Sequence, residues 1–224
     1  MFKKIMLGAA LLISVSAFAQ TQSKLPAEKA IERLNLAAQL VDYGYETESS
    51  LPLIQAVQIY QELNLHPAID GKKPVVEESD EAPEGEVEER HPARTQEQLL
   101  ADATEFADGD QVLLALIGKC QKTTRRPTLG LFYHEDCINA KGTHYWDVTL
   151  NGGESSFVYL NGDGSSDLDI YLYDQNGSEI DRNTSAGDKC SFIIHANDAN
   201  DKFDMNIKIV NRGHVENSYT LIVN

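Results

Sequence analysis

Two hydrophobic periods divide the chain. Up to about residue 120 the apolar residues recur every three or four positions, which is typical of amphipathic helices; beyond Pro127 they alternate with polar residues, which is typical of half-buried strands. The first helical pattern runs from Pro26 to Asp42, and a second begins after Ser50 with Pro52 in its first turn. Proline is tolerated in the first turn of a helix. We expect the two helices to pack as an antiparallel hairpin.

This predicted hairpin, residues 20–69, resembles one unit of a tetratricopeptide-like array. The apolar positions that carry the likeness are Ala30, Ile31, Leu34, Ala37, Ala38 and Val41 in the first helix and Leu53, Ala56, Val57, Tyr60 and Leu63 in the second. No second copy follows at that period, and a repeat solenoid needs several stacked units to build a continuous core. The hairpin therefore needs another partner.

A second helical segment, residues 95–124, is the predicted partner. Thr95 is followed three residues later by Gln98, which is the capping-box pattern of a helix start. The helix is expected to continue to Phe106 and to end at Asp108-Gly109-Asp110, and a further apolar helix follows.

The stretch between the two helical segments, residues 70–94, is predicted to be a disordered acidic linker. It holds three prolines and nine acidic residues with few apolar ones, and like charges at this density do not form a core. Two interpretations remain open for it: a solvated spacer, or an acidic arm for a cation or a basic partner.

The C-terminal part, residues 142–224, is predicted to be an antiparallel β-sandwich that follows a connector at 125–141. Its alternating apolar positions are Trp146, Val148 and Leu150; Leu168, Ile170 and Leu172; Phe203, Met205, Ile207 and Ile209; and Tyr219, Leu221 and Val223. Turn signals such as Asn176-Gly177 separate six or seven short strands. The predicted fold class is α+β multidomain, with N-terminal helical hairpins followed by a C-terminal antiparallel, jelly-roll-like β-sandwich. The helical part and the sandwich are in addition expected to be separate units.

Three spaced motifs carry a resemblance to a known family. The acidic turn and strand from Gly162 to Gly177 include Asp167-Leu168-Asp169-Ile170-Tyr171; Asp188-Lys189-Cys190 leads into a later strand; and the chain ends in a hairpin from Val210 to Asn224. Together they resemble the pre-peptidase C-terminal domains of secreted bacterial proteins. The resemblance implies a jelly-roll-like sandwich with a targeting, folding or substrate-binding role and no catalysis. This chain departs from the family's usual setting because no protease domain is attached.

The N-terminus resembles a secretory signal peptide. Lys3 and Lys4 precede a short apolar run, and Ala17-Phe18-Ala19 supplies the small-x-small cleavage pattern. We therefore predict a signal peptide at 1–19, a secreted or periplasmic protein, and no membrane span after cleavage.

The chain is strongly acidic, with 35 acidic and 19 basic residues and a formal net charge of −16. A surface of this sign repels phosphate backbones, so nucleic acid and anionic membranes are disfavoured as partners. Cations and basic protein surfaces are electrostatically compatible.

Cysteines and histidines give no recognisable catalytic or zinc-binding pattern. Cys120, Cys137 and Cys190 show no C-x-x-C spacing, and any disulfide pairing among them stays open. His134-Glu135-Asp136-Cys137 sets four reactive side chains in a row, but consecutive residues seldom converge on one point. No H-E-x-x-H or G-x-S-x-G motif is present, so we predict a protein that is not an enzyme.

A cluster of carboxylates, Asp163, Asp167, Asp169 and Asp174, is the candidate metal site, with Ca²⁺ as the possible cofactor because it takes oxygen ligands. The EF-hand pattern fails, since Ser166 replaces the turn glycine. On a strand, alternate carboxylates share one face, so a solvated strand face explains the same residues without metal.

Tyr171, Tyr173 and Tyr159 are the candidate binding residues. Tyr171 and Tyr173 should point away from Leu168 and Leu172, so they either form an exposed aromatic face or pack against another part of the chain. The favoured hypothesis is a non-catalytic interaction module that binds a protein or glycan surface at the cell envelope or outside the cell. The alternatives are an envelope scaffolding protein and, less favoured, a small hydrolase.

Overall fold

The computed structural model describes residues 25–68, 72–77, 95–122, 131–150, 155–195 and 202–223. The predicted signal peptide, residues 70–71 and 78–94 of the predicted linker, and residues 125–130 of the predicted connector lie outside these ranges. The described residues form helices α1 Ala27–Glu46, α2 Ser50–Glu62, α3 Gln96–Phe106 and α4 Gln111–Gln121, and strands β1 Leu65–Pro67, β2 Val75–Glu77, β3 Leu131–Ile138, β4 Thr143–Leu150, β5 Ser155–Gly162, β6 Leu168–Tyr173, β7 Glu179–Asn183, β8 Lys189–His195, β9 Phe203–Asn211 and β10 Asn217–Val223. Helices followed by a β-sandwich confirm the predicted fold class.

The four helices share one apolar core. Thr95 caps α3 by accepting the Gln98 backbone N–H, and Asp110 caps α4 by accepting two backbone N–H groups, which satisfies donors that have no partner inside the helix. The core includes Ala37, Val41, Leu53, Ile54, Ala56, Val57, Leu99, Leu100, Ala103 and Ile117. The hairpin α1–α2 thus packs on the second helical segment, which is the partner that the sequence analysis predicted for it.

Two five-stranded sheets make the sandwich. The covered sheet has the order β1-β3-β10-β5-β8, and the open sheet has the order β2-β4-β9-β6-β7. All pairings are antiparallel except that of β1 with β3. The inward side chains form the second core, which includes Ile138, Trp146, Leu160, Leu168, Ile170, Leu172, Ile207, Ile209, Tyr219 and Leu221. The positions on β4, β6, β9 and β10 are those that the alternating pattern predicts, whereas Ile138 comes from the predicted connector.

Two boundaries of the predicted organisation are wrong. Strand β3 occupies Leu131–Ile138 inside the predicted connector 125–141, and it pairs along its length with β10. Strand β2 occupies Val75–Glu77 inside the predicted disordered linker and pairs with β4. Both segments lack a clean alternation, because β3 is only partly buried along most of its length and β2 is an exposed edge. The sandwich therefore begins before Gly142.

The helices are not separate from the sandwich, which corrects a further expectation. Helix α1 covers the outer face of the covered sheet, where Phe157 and Tyr159 of β5 are 1% and 2% exposed. The contact cluster also holds Ala27, Ala30, Ile31, Leu34, Leu63, Leu65, Leu131 and Ile222. Full burial of one large apolar side chain stabilises a fold by roughly 1.5–3 kcal/mol. This layer therefore ties the helical and β parts into one folding unit.

A buried polar group sits inside the sandwich core. The Tyr219 hydroxyl accepts a hydrogen bond from Trp146 Nε1 at 2.8 Å and lies 2.8 Å from His144 Nδ1. The direction of the contact with His144 depends on the imidazole tautomer, because the Tyr219 hydroxyl can both donate and accept. Burial lowers the pKa of His144, so the neutral ring is favoured at this position.

No helix among the described residues is long and apolar enough to cross a membrane.

Candidate ligand-binding face

The outer face of the open sheet carries an aromatic and polar surface, which we call the tyrosine face. Tyr145 of β4, Lys208 of β9 and Tyr171 of β6 lie side by side across three paired strands. The Lys208 ammonium is 5.7 Å from the centroid of the Tyr145 ring and 5.8 Å from that of Tyr171. Both distances are within the reach of a cation–π contact. Lys208 therefore lies between the two tyrosine rings and contacts both of them on the same face of the sheet.

The next rows of the tyrosine face are polar. Asp147, Asn206 and Tyr173 form the second row, and Thr149 and Asp204 begin the third. Asn206 Nδ2 donates to Asp147 Oδ1 at 3.0 Å, and Thr149 Oγ1 donates to Asp204 Oδ1 at 2.6 Å. Each of these hydrogen bonds links neighbouring strands, so the polar groups are held in place before any ligand arrives.

Tyr171 is fixed by an ion pair between buried Asp169 and exposed Arg212. Asp169, 5% exposed, accepts from Arg212 Nε at 2.6 Å and from the Tyr171 hydroxyl at 3.1 Å. Arg212 Nη2 donates to the same hydroxyl at 2.8 Å. The hydrogen bond to Asp169 raises the pKa of Arg212. One ring edge of Tyr171 is thus anchored, while the ring stays on the outer surface.

An open depression of about 730 Å³ covers the part of the tyrosine face that holds Tyr145, Tyr173, Lys208 and the polar rows. Lys72 closes one side by donating to the Asp147 carbonyl at 3.1 Å. A tight turn after β6 closes another: Asp174 accepts from the Asn176 and Ser178 backbone N–H groups, and Gly177 supplies the positive φ of 79°. These backbone hydrogen bonds, chiefly from Ser178, lower the pKa of Asp174.

The structure brings only two of the three candidate tyrosines together. Tyr171 and Tyr173 are partly exposed on the open sheet, whereas Tyr159 lies on the other sheet, buried under α1. The Tyr159 hydroxyl donates to Asn35 of α1 at 3.1 Å. Tyr159 therefore does not belong to this surface. Tyr145, which the sequence analysis did not select, is the third tyrosine of this surface. Its outward direction could have been predicted from the alternation along β4, because its neighbours His144 and Trp146 both point inward.

The four candidate metal ligands have separate hydrogen-bond partners. Asp163 accepts from the Ser165 and Ser218 backbone N–H groups, and Asp167 accepts from that of Gly187. Asp169 pairs with Arg212, and Asp174 closes the turn at the opposite end of β6. The structure therefore does not gather Asp163, Asp167, Asp169 and Asp174 at one point. Within the described ranges, no group of three His, Cys, Asp or Glu residues has the arrangement of a metal site.

Asp163 belongs instead to a polar network that closes one end of the sandwich. Asp188, 8% exposed, accepts from the Gly164 backbone N–H, and Asn217, fully buried, accepts from that of Asp163. Asn217 also donates to the Ser166 carbonyl at 3.0 Å. The acidic turn that resembles the pre-peptidase C-terminal motif thus acts as a clamp in this chain: its carboxylates hold neighbouring loops by accepting hydrogen bonds from backbone N–H groups.

His134 and Cys137 do not converge. They are three residues apart on β3, so their side chains point to opposite faces of the sheet. His134 turns inward, where its ring lies 4.6 Å from that of Trp146. The row of reactive residues in the sequence is therefore divided between two surfaces.

All three cysteines are free thiols. Cys120 lies in the helical core and Cys190 in the sandwich core, so the two thiols belong to different apolar cores. Burial raises the pKa of Cys190 to about 12, so this thiol is held in its neutral form.

No protein-family model matches the chain, and no curated protein does. Several solved structures are similar to part of the chain. A mitogen derived from Yersinia pseudotuberculosis is 14% identical, with 42% of this chain and 85% of that chain covered and a TM-score of 0.32. The pre-peptidase C-terminal domain of collagenase from Bacillus anthracis is 7% identical, with 41% and 87% covered and a TM-score of 0.32. A periplasmic inhibitor of g-type lysozyme from Aeromonas hydrophila is 12% identical, with 45% and 90% covered and a TM-score of 0.32. The predicted family is thus represented among these structures, but similarity of this degree carries no inference about what the chain does.

Proposed function

We propose that this protein is a non-catalytic binding module whose tyrosine face recognises a glycan. The observation that carries the proposal is the row Tyr145–Lys208–Tyr171, flanked by Tyr173, on an outer sheet face that no other described part of the chain covers.

The chemistry of this face suits a sugar better than an apolar ligand. A tyrosine ring offers an apolar surface on which the C–H face of a sugar ring can stack, and its hydroxyl stays available at the wet edge. Beside the rings, Asp147, Asp204 and Asn206 present oxygen and amide groups that hydrogen-bond sugar hydroxyls. A few fixed polar groups next to apolar area are the usual composition of a selective small-ligand site.

Preorganisation strengthens the proposal. Asp169 and Arg212 hold the Tyr171 hydroxyl, and Lys208 is shared by two rings. Side chains that are fixed before binding lose less conformational entropy when the ligand arrives. The face can therefore bind a flat ligand, such as an oligosaccharide, that makes only weak individual contacts.

The surroundings that we infer are the periplasm or the medium, where envelope glycans are accessible. The inference depends on the predicted signal peptide and on the net charge of −16, which disfavours nucleic acid. A protein surface is the other possible occupant, and the test below separates the two.

The test is a screen of the full mature chain on an array of bacterial and eukaryotic oligosaccharides, followed by calorimetric titration with the strongest binder. Tyr173→Ala should weaken binding at least about tenfold, because Tyr173 lines the depression and a tyrosine in contact with a ligand commonly contributes more than about 1.4 kcal/mol. Tyr43→Ala is the matched control, since Tyr43 is 56% exposed on α1, outside the tyrosine face.

A wild-type affinity that Tyr43→Ala leaves unchanged and Tyr173→Ala reduces supports the proposal. The absence of any oligosaccharide binding, or an equal loss in both variants, would refute glycan recognition at this face.

A further inference from the structure

A second candidate site lies between the helices and the covered sheet, on the opposite side of the sandwich from the tyrosine face. We call it the interlayer cavity. Its volume is about 90 Å³, several times the roughly 30 Å³ that one water takes up in the liquid. Helix α1 forms one wall, the start of α3 forms another, and outward side chains of β3, β5 and β10 form the floor. It is independent of the glycan proposal, because the two sites share no residue.

Three side chains that line the interlayer cavity carry the acceptors that bear on its occupant: Asn161, Glu135 and Asp42. Asn161 Oδ1 is buried and has no hydrogen-bond partner among the described residues. Glu135 lies on the next strand but one and is partly buried, and burial raises the pKa of its carboxyl group. Asp42 stands at the α1 side, where it already pairs with Lys189 at 2.6 Å. An unpaired buried acceptor costs roughly 1–3 kcal/mol, so the cavity favours an occupant that donates hydrogen bonds.

Three tyrosines supply the aromatic part of the lining. Tyr60 comes from α2, Tyr133 from β3 and Tyr159 from β5. Burial raises the pKa of Tyr133 to about 12 and raises the pKa of both other phenols, so all three rings stay neutral at physiological pH. Neutral aromatic faces attract a cation, and several such rings around one cavity are a known way to hold an ammonium group.

The wall that α1 contributes is mostly apolar, whereas Thr95, Gln96, Asp163, Ser218 and Thr220 add polar groups elsewhere in the lining. Leu34, Ala38 and Val41 of α1 face Leu65 and Ile222 across the cavity. An inorganic cation would leave this apolar wall without a partner, and an anion would be repelled by Glu135 and Asp42. A neutral apolar molecule would leave Asn161 Oδ1 unsatisfied. The lining therefore selects an occupant with one charged donor end and one short apolar end.

We propose that the interlayer cavity binds a short alkylammonium group, with its charged end between Glu135, Asn161 and the tyrosine rings and its alkyl chain along α1. Such a group is provided by a small organic amine. The net charge of −16 raises the local concentration of any cation at the protein surface and assists capture.

The first experiment uses n-butylammonium chloride as the probe on the full mature chain. Sodium chloride at equal concentration controls for ionic strength, and n-butanol controls for the alkyl chain without the charge. We expect the butylammonium ion to raise the melting temperature above both controls, because a ligand that binds only the folded state stabilises it. An equal shift with sodium chloride or with n-butanol would overturn the proposal.

Variants locate the effect. Glu135→Gln should lower the affinity for butylammonium about tenfold or more, because a charge-assisted hydrogen bond is lost. Glu179→Gln on the exposed edge strand β7 removes the same charge elsewhere and should bind as the wild type does. Tyr133→Phe keeps the ring and should retain binding, whereas Tyr133→Leu removes it and should weaken binding. Unchanged affinity in both Glu135→Gln and Tyr133→Leu would exclude this cavity as the site.

Discussion

Gly162→Ala tests the polar network that closes the sandwich. Gly162 is a buried residue at the end of β5, paired with Tyr219, and its backbone N–H donates to the Asp188 carbonyl at 2.9 Å. A Cβ added here would lie 2.7 Å from Asp188 Cβ and 2.6 Å from Asn217 Oδ1, and closer still to Asp188 Oδ2. Carbon atoms do not approach so closely, so the two side chains or the strand end must move.

The expected loss follows from what these side chains hold. Moving Asp188 breaks its hydrogen bond from the Gly164 N–H, and moving Asn217 breaks that from the Asp163 N–H. Each buried group left without a partner costs about 1–3 kcal/mol, and the overpacking adds about 1–3 kcal/mol. We therefore expect the free energy of unfolding to fall by at least about 3 kcal/mol.

Urea unfolding followed by tryptophan fluorescence measures this loss directly. Trp146 is the single tryptophan of the chain and is 1% exposed in the sandwich core, so its emission reports the unfolding of that core. Gly118→Ala is the matched control: it lies in α4, and an added Cβ would meet nothing within 4 Å. Replacing a glycine in a helix interior by alanine should raise stability by about 0.5–1 kcal/mol. A Gly162→Ala protein within about 0.5 kcal/mol of the wild type, the range of an ordinary surface change, would refute the clamp.

Two further predictions follow from buried or paired groups. Burial in the folded state lowers the pKa of His144 below its ordinary value of 6.5. Below pH 6.5 the unfolded chain therefore binds a proton at His144 more readily than the folded chain does, and the free energy of unfolding should fall as the pH drops. His144→Gln should remove part of this fall in urea titrations between pH 7.5 and 5; an unchanged slope would contradict the assignment. The melting temperature should be the same in millimolar Ca²⁺ as in a chelator, because the carboxylates of Asp163, Asp167, Asp169 and Asp174 already accept separate hydrogen bonds. A clear rise of the melting temperature with Ca²⁺ would show that the predicted metal site exists.

Local physical chemistry explains the parts of the fold that could be predicted. The spacing of Leu34, Ala38 and Val41 defines a helix face, and the capping pattern at Thr95 marks the start of α3, since both depend only on neighbours a few residues away. Alternation on β6 likewise places Tyr171 and Tyr173 on the outer face. Strands β2 and β3 were missed for the converse reason: their pairing partners are distant in sequence, and the strands themselves carry no period of two.

For the candidate sites, too, the sequence determines some properties and the tertiary structure determines the others. A period of two tells to which side of a strand a residue points, so the sequence alone determined the outward direction of Tyr171 and Tyr173 on their strand. It does not tell which layer lies on that side. The fold buries Tyr159 under α1 and leaves Tyr171 open, and it assigns the carboxylates of Asp163 and Asp169 to different partners. Only the tertiary structure decided these outcomes, because burial and hydrogen bonding depend on segments that meet in space after long separations along the chain.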